Sequence, residues 1–490
     1  MSSRTPPKRR LIAALVSAFL ASAGAFLALS TLRQREGAPN ILVISLCSVR
    51  ADHMSLYGYH RKTTPNIDAL ARDAIVFENA IAQWPKTTPA FASIMTGKYG
   101  HTTGVTRITA GQRLGDEHET LAEVLRDHGY ETGVFVSTPA LGVATNVLQG
   151  FGRIEEVWRS PDPFARATND AVAWLREHRV GPFFAWVHYN NAHYPYEAHG
   201  AQPDMFVEDA FYDARRRVRL NPPGGLPLEI PVDHPYRTQI LRPDVGGVHT
   251  AAILPERPHE IDFYLARYDA GIYGADRMLG ILLRAVREIR LLEDTIVVII
   301  GDHGESLGEH DYFFEHGRFP YDETVRVPLV IRWPGRGTSS RVPTPVAAFG
   351  LAPTLLEMLG IEVPEAMESR SLLPVVHGKE EGRHVFTESG YQLDFTLSVR
   401  DSTWKLIHNP NEIDQSLMAG SEYELYNLDS DPGELHNVYL AEPEVTARLR
   451  AVLENWSGPW IAAAYATGSG GGLPLDPATR ERLYSLGYLP

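Results

Sequence analysis

An acid and a histidine at the end of a strongly apolar segment are the first residues of this sequence that could do chemistry. The segment reads VVIIGDHGE at 297–305, so Asp302 and His303 follow a run of β-branched residues. Such a run is typical of a buried strand of a parallel sheet, whose carboxyl end is where open α/β sheets bind ligands. Because carboxylate and imidazole bind divalent metals, we predict a metal site here. The simpler interpretation is a strand that ends in a capped turn.

The segments around this strand alternate between predicted helix and predicted strand. Strands are predicted at 40–46, 130–137, 182–188 and 327–333, and helices at 64–73, 87–97, 120–128, 169–178, 261–291 and 352–359. This alternation predicts an α/β fold with a parallel sheet and helices on both of its faces. From about residue 382 the sequence changes to short alternating pieces, which indicates a small antiparallel C-terminal subdomain.

Three of these predicted strands end in polar residues that a parallel sheet would place along one edge. The first leads into Cys47, the second ends at His188, and the third leads into Asp302 and His303. Since the carboxyl ends of parallel strands meet at the same edge, we expect these side chains to lie close together.

A hydroxyl for the same edge could come from Thr87, at the start of a short predicted helix. The amino end of a helix favours oxyanions, and a hydroxyl beside a divalent metal can serve as a nucleophile. Nearby imidazoles and Lys405 could hold anionic oxygens or protonate a leaving group. Each residue alone has a simpler explanation, such as a helix cap for Thr87. Together they predict metal-assisted transfer or hydrolysis of a phosphate or sulfate ester.

Charge and cysteine content narrow the functional classes. The 490-residue chain carries a net charge of -14, so nucleic acid is not expected as a partner. Cys47 is the only cysteine, which excludes a disulfide within the chain but does not identify the compartment.

The N-terminus carries an uncharged apolar run at 11–32 behind four basic residues. The run is long enough to span a bilayer as a helix, and the preceding charges predict a cytoplasmic N-terminus with an exported body. We therefore predict that residues 1–36 form a membrane anchor and linker, with the catalytic domain on the periplasmic or extracellular side. The alternative is a signal peptide, cleaved near the small residues at 21–25, and a secreted protein.

The remaining chain is predicted to divide into a catalytic domain at 37–380 and a C-terminal subdomain and tail at 381–490. Residues 196–258 interrupt the catalytic domain with a stretch rich in proline, glycine and charge. A stretch of this length is either a cover over the site or a surface excursion. The glycine-rich residues 468–472 are predicted to be a linker.

The sequence from about residue 40 to the end resembles the sulfatase family of the alkaline phosphatase-like superfamily, in its membrane-anchored bacterial form. The matching phrases are NILVIS at 40–45, RADH at 50–53, YGY at 57–59, TPNIDALA at 64–71, ASIMTG at 92–97, GDHGESLGEH at 301–310, HG at 316–317, RVPLVIRWPG at 326–335, APTLLEMLG at 352–360, WKLI at 404–407 and ELYNLDSDPGE at 424–434.

This resemblance implies a three-layer, mostly parallel α/β domain and a metal-dependent hydrolase or transferase of sulfate or phosphate esters. By the family pattern, Asp302 and His303 hold one divalent metal, calcium or magnesium, and Thr87 occupies the nucleophile position. His188 contacts the ester, and His316 stands where relatives carry a lysine or histidine near the ester oxygens. Lys405 matches a recurrent C-terminal lysine. The implied partner is a sulfated or phosphorylated glycan or lipid headgroup.

The nucleophile position departs from the pattern of the sulfatases proper. Their nucleophile is a cysteine or serine, converted to formylglycine and followed at a fixed spacing by an arginine. Here the residues are Thr87 and Phe91. Threonine is not a substrate for that conversion, so no formylglycine is expected. Threonine does occur in branches that resemble phosphotransferases and phosphodiesterases.

Cys47 is the second departure, because the family normally has an aspartate metal ligand at the end of the first strand. One interpretation is a changed site in which the thiolate joins Asp302 and His303 on a softer ion such as zinc. Another is a lost ligand and a weak or inactive site. A third is that Asp52 reaches back to substitute. An inactive site would make the chain a non-catalytic sulfatase-like protein that binds anionic glycans or lipid headgroups.

Overall fold

A computed structural model of the chain describes residues 37–106, 112–194, 196–207, 209–212, 261–311, 313–335, 339–391, 394–410 and 421–467. The predicted anchor at 11–32, most of the predicted insertion and the linker at 468–472 lie outside these residues. Among the helices that the structure describes, none has both the length and the apolar character that a bilayer span requires.

The strands form a large mixed sheet, a C-terminal antiparallel sheet and a two-stranded ribbon. Their bounds are β1 (Asn40–Leu46), β2 (Ile75–Ile81), β3 (Glu131–Val136), β4 (Arg153–Glu156), β5 (Phe183–Tyr189), β6 (Thr295–Gly301), β7 (Ser306–Leu307), β8 (Phe313–Glu315), β9 (Arg326–Arg332), β10 (Ser340–Val342), β11 (Val346–Ala347), β12 (Val385–Tyr391), β13 (Asp394–Arg400), β14 (Trp404–His408) and β15 (Tyr423–Asn427). The large sheet has the order β10-β2-β9-β6-β1-β5-β3-β4, with β11 beside β2.

The α-helices lie mostly between these strands in the chain. Their bounds are α1 (Pro65–Leu70), α2 (Thr87–Thr96), α3 (Gly100–Thr103), α4 (Leu121–Asp127), α5 (Pro163–Glu177), α6 (Ile261–Glu288), α7 (Asp322–Val325), α8 (Leu351–Leu359), α9 (Leu373–Val376) and α10 (Pro443–Thr467). Helix α5 begins at Pro163 rather than at the predicted residue 169, because Asp162 accepts a hydrogen bond from the Ala165 N–H and caps it.

Central strands β1, β5 and β6 are buried at every position, as their continuous apolar sequences predict. Successive residues of β1 enter two different cores: Ile41 and Val43 pack with α2, α4 and α8, whereas Leu42 and Ile44 pack with α1, α5 and α6. Two helical layers therefore enclose the sheet, and the predicted three-layer α/β fold is confirmed.

Strand β9 is the exception to the parallel arrangement. It runs antiparallel to both of its neighbours, β2 and β6. The sheet is therefore mixed rather than wholly parallel.

The C-terminal subdomain forms the predicted antiparallel sheet, in the order β12-β13-β14-β15. Helix α10 covers it, because Leu449 and Leu453 pack against Leu397 and Leu406 of the sheet. The structure thus confirms a second, smaller sheet after the large one.

Gly304 joins the end of β6 to the segment that leads into α7. Its N–H donates to the Thr324 carbonyl at 2.8 Å, and a β-carbon at this position would lie 2.0 Å from the Glu323 carbonyl oxygen. The backbone after Asp302 and His303 can therefore approach this segment only because residue 304 has no side chain.

Gly304→Ala is expected to lower the free energy of unfolding by about 1–3 kcal/mol, because the backbones must separate. Denaturant unfolding measures this loss. Gly458→Ala is the matched control, since nothing lies within 4 Å of a β-carbon there and the residue is inside α10. The control should be neutral or gain up to about 1 kcal/mol. Equal effects of the two substitutions would contradict the close approach.

Candidate active site

The three polar strand ends predicted to converge are neighbours in the sheet, in the order β6-β1-β5. Ser45 in β1 lies opposite His188 in β5 and Ile300 in β6, so Cys47 follows β1 between the ends of the other two strands. The parallel pairing of these strands brings Cys47, His188 and Asp302 to one edge of the sheet.

Three buried atoms with lone pairs meet at this edge. Cys47 Sγ, a carboxylate oxygen of Asp302 and a ring nitrogen of His303 all lie within 4.8 Å of one another, and the three residues are fully buried. Asp302 Oδ1 accepts from the Ser48 and His303 N–H groups at 3.1 and 2.8 Å. Asp302 Oδ2 has no hydrogen-bond partner within the described part of the chain.

Hydrogen bonding fixes which nitrogen of His303 faces this group. Nδ1 lies 2.8 Å from the Gly304 carbonyl oxygen, which can only accept, so Nδ1 carries the proton. In the neutral ring Nε2 then presents its lone pair, 3.4 Å from Asp302 Oδ2 and 4.0 Å from Cys47 Sγ. A carboxylate oxygen, an imidazole lone pair and a thiol sulfur that face one another in a buried site can hold a cation once the thiol loses its proton.

The donor set of Cys47, Asp302 and His303 fits a divalent metal, and it fits zinc better than calcium. Sulfur and imidazole are ligands of zinc, whereas calcium and magnesium prefer oxygen and would find one carboxylate among these three. Burial and the charge of Asp302 raise the pKa of the Cys47 thiol well above its ordinary value. Metal binding as thiolate must therefore release a proton.

Thr87 lies directly beside this group. It is the first residue of α2 and is fully buried, with its hydroxyl 3.1 Å from His303 Nε2 and 3.4 Å from Cys47 Sγ. His303 Nε2 presents its lone pair to Thr87 and to the candidate metal position alike, so it accepts the Thr87 hydrogen bond only while it does not bind a metal. Thr87 thus lies beside the candidate metal ligands, where a bound metal could lower the pKa of its hydroxyl.

Phe91 lies one turn further along α2, and its ring is buried. The ring centroid lies 4.8 Å from that of Trp186 and 5.4 Å from that of His188. The position where relatives were expected to carry an arginine is therefore part of the apolar packing behind His188.

His188 is fully buried, and its Nδ1 lies 2.7 Å from the Ser45 hydroxyl. Its Nε2 has no hydrogen-bond partner among the residues described. Burial lowers the pKa of His188 to about 4, against an opposing attraction from Asp302, so the ring is neutral near pH 7. A buried neutral imidazole can offer a hydrogen bond without carrying charge.

The buried neutral state of His188 predicts a pH-dependent contribution to stability. Between about pH 4 and the ordinary histidine pKa of about 6.5, the unfolded chain binds more protons at this residue, so folding weakens as the pH falls. We expect the difference in unfolding free energy between wild type and His188→Gln to decrease by up to about 3 kcal/mol from pH 7 to pH 4. Unfolding in the presence of a chelator measures this, and an unchanged difference would contradict the burial.

His316 closes another side of the site. Its ring stacks on His303 with centroids 4.2 Å apart and lies 5.2 Å from the ring of His193. Its Nδ1 is 3.4 Å from a carboxylate oxygen of the fully buried Glu305. The structure thus brings His316 next to the candidate metal ligands, with a carboxylate behind it that can stabilise its protonated form.

Lys405 lies in an ion-pair network of the C-terminal subdomain. Its ammonium group is 2.9 Å from Asp322 and 2.8 Å from Glu434, and Asp322 also binds Arg400. Burial alone would lower the pKa of Lys405, but the carboxylates of Asp322 and Glu434 outweigh it and hold that pKa above its ordinary value. A role for Lys405 at the ester stays a prediction.

A second group of potential ligands, His310, Glu323 and Glu434, lies next to this network. Burial and the charges of neighbouring carboxylates raise the pKa of Glu323 well above its ordinary value, and burial raises that of Glu434 to about 7. Lys405 binds the Glu434 oxygen, so this group already contains a cation.

Asp52, considered above as a substitute ligand, is bound to Arg50 by two hydrogen bonds of 3.0 and 2.7 Å. It is not part of the group formed by Cys47, Asp302 and His303. The structure therefore does not bring Asp52 to the site as a substitute ligand, and a ligand role for Cys47 stays a prediction.

Ser45, Trp186 and Glu305 are functional candidates that sequence reasoning missed. Ser45 is a buried polar residue inside an otherwise apolar strand, and Glu305 is a fully buried acid just after His303. A polar residue within a strand that is buried on both faces was the available signal for Ser45.

Two protein-family models match this chain. The sulfatase family model matches residues 39–361, and a model described as N-sulphoglucosamine sulphohydrolase, C-terminal, matches residues 308–457. The first match alone covers more than half of the chain.

Individual relatives agree with these matches. An N-acetylglucosamine-6-O-sulfatase of Bacteroides thetaiotaomicron is 26% identical over 82% of this chain and 82% of its own length. The structure of a 2-O GAG sulfatase superimposes with a TM-score of 0.68 at 22% identity, over 90% of this chain and 96% of the other. A structure in complex with its substrate D-glucosamine-2-N,6-O-disulfate superimposes with a TM-score of 0.65 at 22% identity, over 86% of this chain and 98% of the other.

Proposed function

Because the chain belongs to the sulfatase family, whose members are sulfuric ester hydrolases, we propose that it cleaves sulfate esters of a glycan with Thr87 as nucleophile and a metal at Cys47, Asp302 and His303. The glycan is proposed from two relatives, the N-acetylglucosamine-6-O-sulfatase and the structure bound to a glucosamine disulfate. The placement of Thr87 and the identity of the metal are proposals from this chain's own residues.

The observation that carries the proposal is the position of the Thr87 hydroxyl, 3.1 Å from His303 Nε2 and 3.4 Å from Cys47 Sγ. It lies at the amino end of α2, where free N–H groups favour a bound oxyanion. A hydroxyl held beside the candidate metal ligands and at an anion-binding helix end is suited to attack a sulfuryl group.

In the proposed reaction the Thr87 oxygen attacks sulfur and the bond from sulfur to the glycan oxygen breaks. The Thr87 proton passes to solvent, and the departing glycan oxygen gains one proton and becomes an alcohol; the proton donor regains its proton from the water that attacks in the second step, and the departing Thr87 oxygen takes one from solvent. His316, backed by Glu305, lies next to His303 and is proposed to supply that proton. Water then attacks the sulfur of the threonine sulfate, which releases hydrogen sulfate and restores the hydroxyl.

Cys47, Asp302 and His303 would hold the metal, since their lone pairs already face one another and one Asp302 oxygen lacks a described hydrogen-bond partner. A bound divalent ion supplies charge that stabilises the sulfuryl oxygens and lowers the pKa of a neighbouring hydroxyl. We propose zinc, because a thiolate in the donor set favours a softer ion.

We further propose that the catalytic body acts outside the cytoplasmic membrane. The basis is the apolar run at 11–32 behind basic residues, which would tether the body or be removed as a signal. N-terminal sequencing of the mature protein separates the two cases, since a start at residue 1 or 2 supports the anchor and a start after residue 20 supports cleavage. Cell fractionation tests the location itself, and a mature protein that fractionates with cytoplasmic proteins would contradict both cases.

Hydrolysis assays with matched esters test the proposed chemistry. The purified, zinc-loaded chain is expected to release sulfate from N-acetylglucosamine 6-sulfate or from nitrophenyl sulfate, and to lose this activity to a chelator. Nitrophenyl phosphate is the matched comparison. Preferred cleavage of the phosphate would replace the sulfatase proposal with a phosphatase one. Binding of the sulfated sugar without turnover of either ester would favour the non-catalytic alternative.

A further inference from the structure

Trp186, Ser45 and His188 form a hydrogen-bonded chain behind the site. Trp186 and His188 are two residues apart in β5, so their side chains lie on the same face of the strand, and Ser45 is the residue of β1 paired with His188. The indole N–H donates to the Ser45 oxygen at 2.7 Å, and the same oxygen lies 2.7 Å from His188 Nδ1.

Which atoms donate and which accept in these hydrogen bonds follows from the indole N–H, which can only donate. Because Ser45 Oγ accepts from Trp186, the hydroxyl hydrogen of the buried Ser45 needs an acceptor elsewhere. His188 Nδ1 is the acceptor within reach in the described part of the chain. Were Nδ1 protonated instead, the Ser45 hydroxyl hydrogen would be buried without a partner, which folded proteins avoid.

We propose that Ser45 and Trp186 are positioning residues that hold His188 in the tautomer with its proton on Nε2, so that His188 donates a hydrogen bond to the sulfuryl group and does not act as a base. This inference rests on the proposed function, since it assigns the ligand of His188 Nε2. That nitrogen is fully buried at the same sheet edge as Asp302 and has no hydrogen-bond partner among the described residues.

The lowered pKa of the buried His188 suits this role as a neutral donor. Its pKa is lowered to about 4 by burial, so the ring offers its N–H at neutral pH without the charge that an imidazolium would carry. A donor that faces the transferred group favours the growing negative charge on its oxygens.

Nitrogen NMR of the zinc-loaded chain with labelled histidine tests the tautomer directly. The His188 signals are those that disappear in His188→Gln. We expect wild type to show an unprotonated Nδ1 and a protonated Nε2. Ser45→Ala should lose this single tautomer, with both nitrogen shifts moving towards an average, whereas Ser45→Thr keeps the hydroxyl and should restore it. A protonated Nδ1 in wild type, or an unchanged tautomer in Ser45→Ala, would overturn the inference.

Trp186→Phe provides a second test that does not depend on the folding of the Ser45 variants. It removes the donor that sets the direction of the chain, so the two nitrogen shifts should again move towards an average. Trp174→Phe is the matched control, because Trp174 packs in the core on the other side of the sheet and should leave His188 unchanged. Averaged shifts in both Trp186→Phe and Trp174→Phe, or in neither, would contradict the hydrogen bonds proposed between Trp186, Ser45 and His188.

Inorganic sulfate separates this inference from the proposed function. Added sulfate should move the Nε2 proton signal of His188 in wild type. A fixed tautomer with no response to sulfate would support the positioning role of Ser45 and Trp186 and contradict the ester site. A response to sulfate without a fixed tautomer would support the ester site and contradict the positioning role.

Discussion

Thr87→Ala is expected to lower kcat for sulfate ester hydrolysis by on the order of 10³-fold or more, because it removes the proposed nucleophile. The fold should survive, since the hydroxyl that is lost forms contacts of 3.1 and 3.4 Å with the site residues His303 and Cys47. Binding of the sulfated substrate should change far less than kcat, because the amino end of α2 and His188 remain.

Thr87→Ser is the matched control for this loss. Serine keeps a hydroxyl at the same atom and should retain activity within about tenfold of wild type, the equivalent of 1.4 kcal/mol. Steady-state kinetics with the same ester measures all three proteins. Full activity in Thr87→Ala would remove Thr87 from the mechanism, and equal losses in both variants would mean that the methyl group rather than the hydroxyl matters.

Cys47→Asp is expected to reverse the metal preference of the site. It replaces the thiolate with the carboxylate that the family usually carries, so zinc affinity should fall while calcium, magnesium and manganese bind more tightly. Complete structural zinc sites are worth about 10–16 kcal/mol, which is roughly 3 kcal/mol per ligand and about 100-fold in affinity. Titration calorimetry with each ion measures this shift.

Cys47→Ser separates the loss of the thiolate from the gain of the carboxylate. It should lose zinc affinity by a similar factor without gaining calcium. In wild type, zinc affinity should also rise with pH, because burial and Asp302 raise the pKa of the thiol and its proton must leave first. Unchanged zinc binding in Cys47→Ser would show that the cysteine is a small apolar residue and not a ligand.

The layout of the fold could be predicted because its strands are strongly apolar and its helices alternate with them. The run at 297–301 is buried at every position. Its carboxyl end lies beside the carboxyl ends of β1 and β5, as expected. The antiparallel direction of β9 could not be predicted, since its sequence is as apolar as that of a parallel strand. Strand direction depends on where the connection returns, which local sequence does not record.

The residue types of the candidate site could be predicted, but their hydrogen bonds could not. Sequence placed Cys47, Thr87 and His303 near one another, and the structure brings them within 4.0 Å. The proton position on each histidine depends on its partner across the sheet, such as Ser45 for His188 and the Gly304 carbonyl for His303. These partners are set by strand register and a loop, so single residues in the sequence could not reveal them.

Metal content per chain tests the central claim most directly. Elemental analysis of the purified protein, after incubation with calcium, magnesium, manganese and zinc and removal of excess ion, should find about one zinc per chain. Asp302→Asn is the matched variant and should hold far less. A wild-type protein that retains no metal under these conditions would contradict a metal-dependent site at Cys47, Asp302 and His303, and with it the proposed hydrolase.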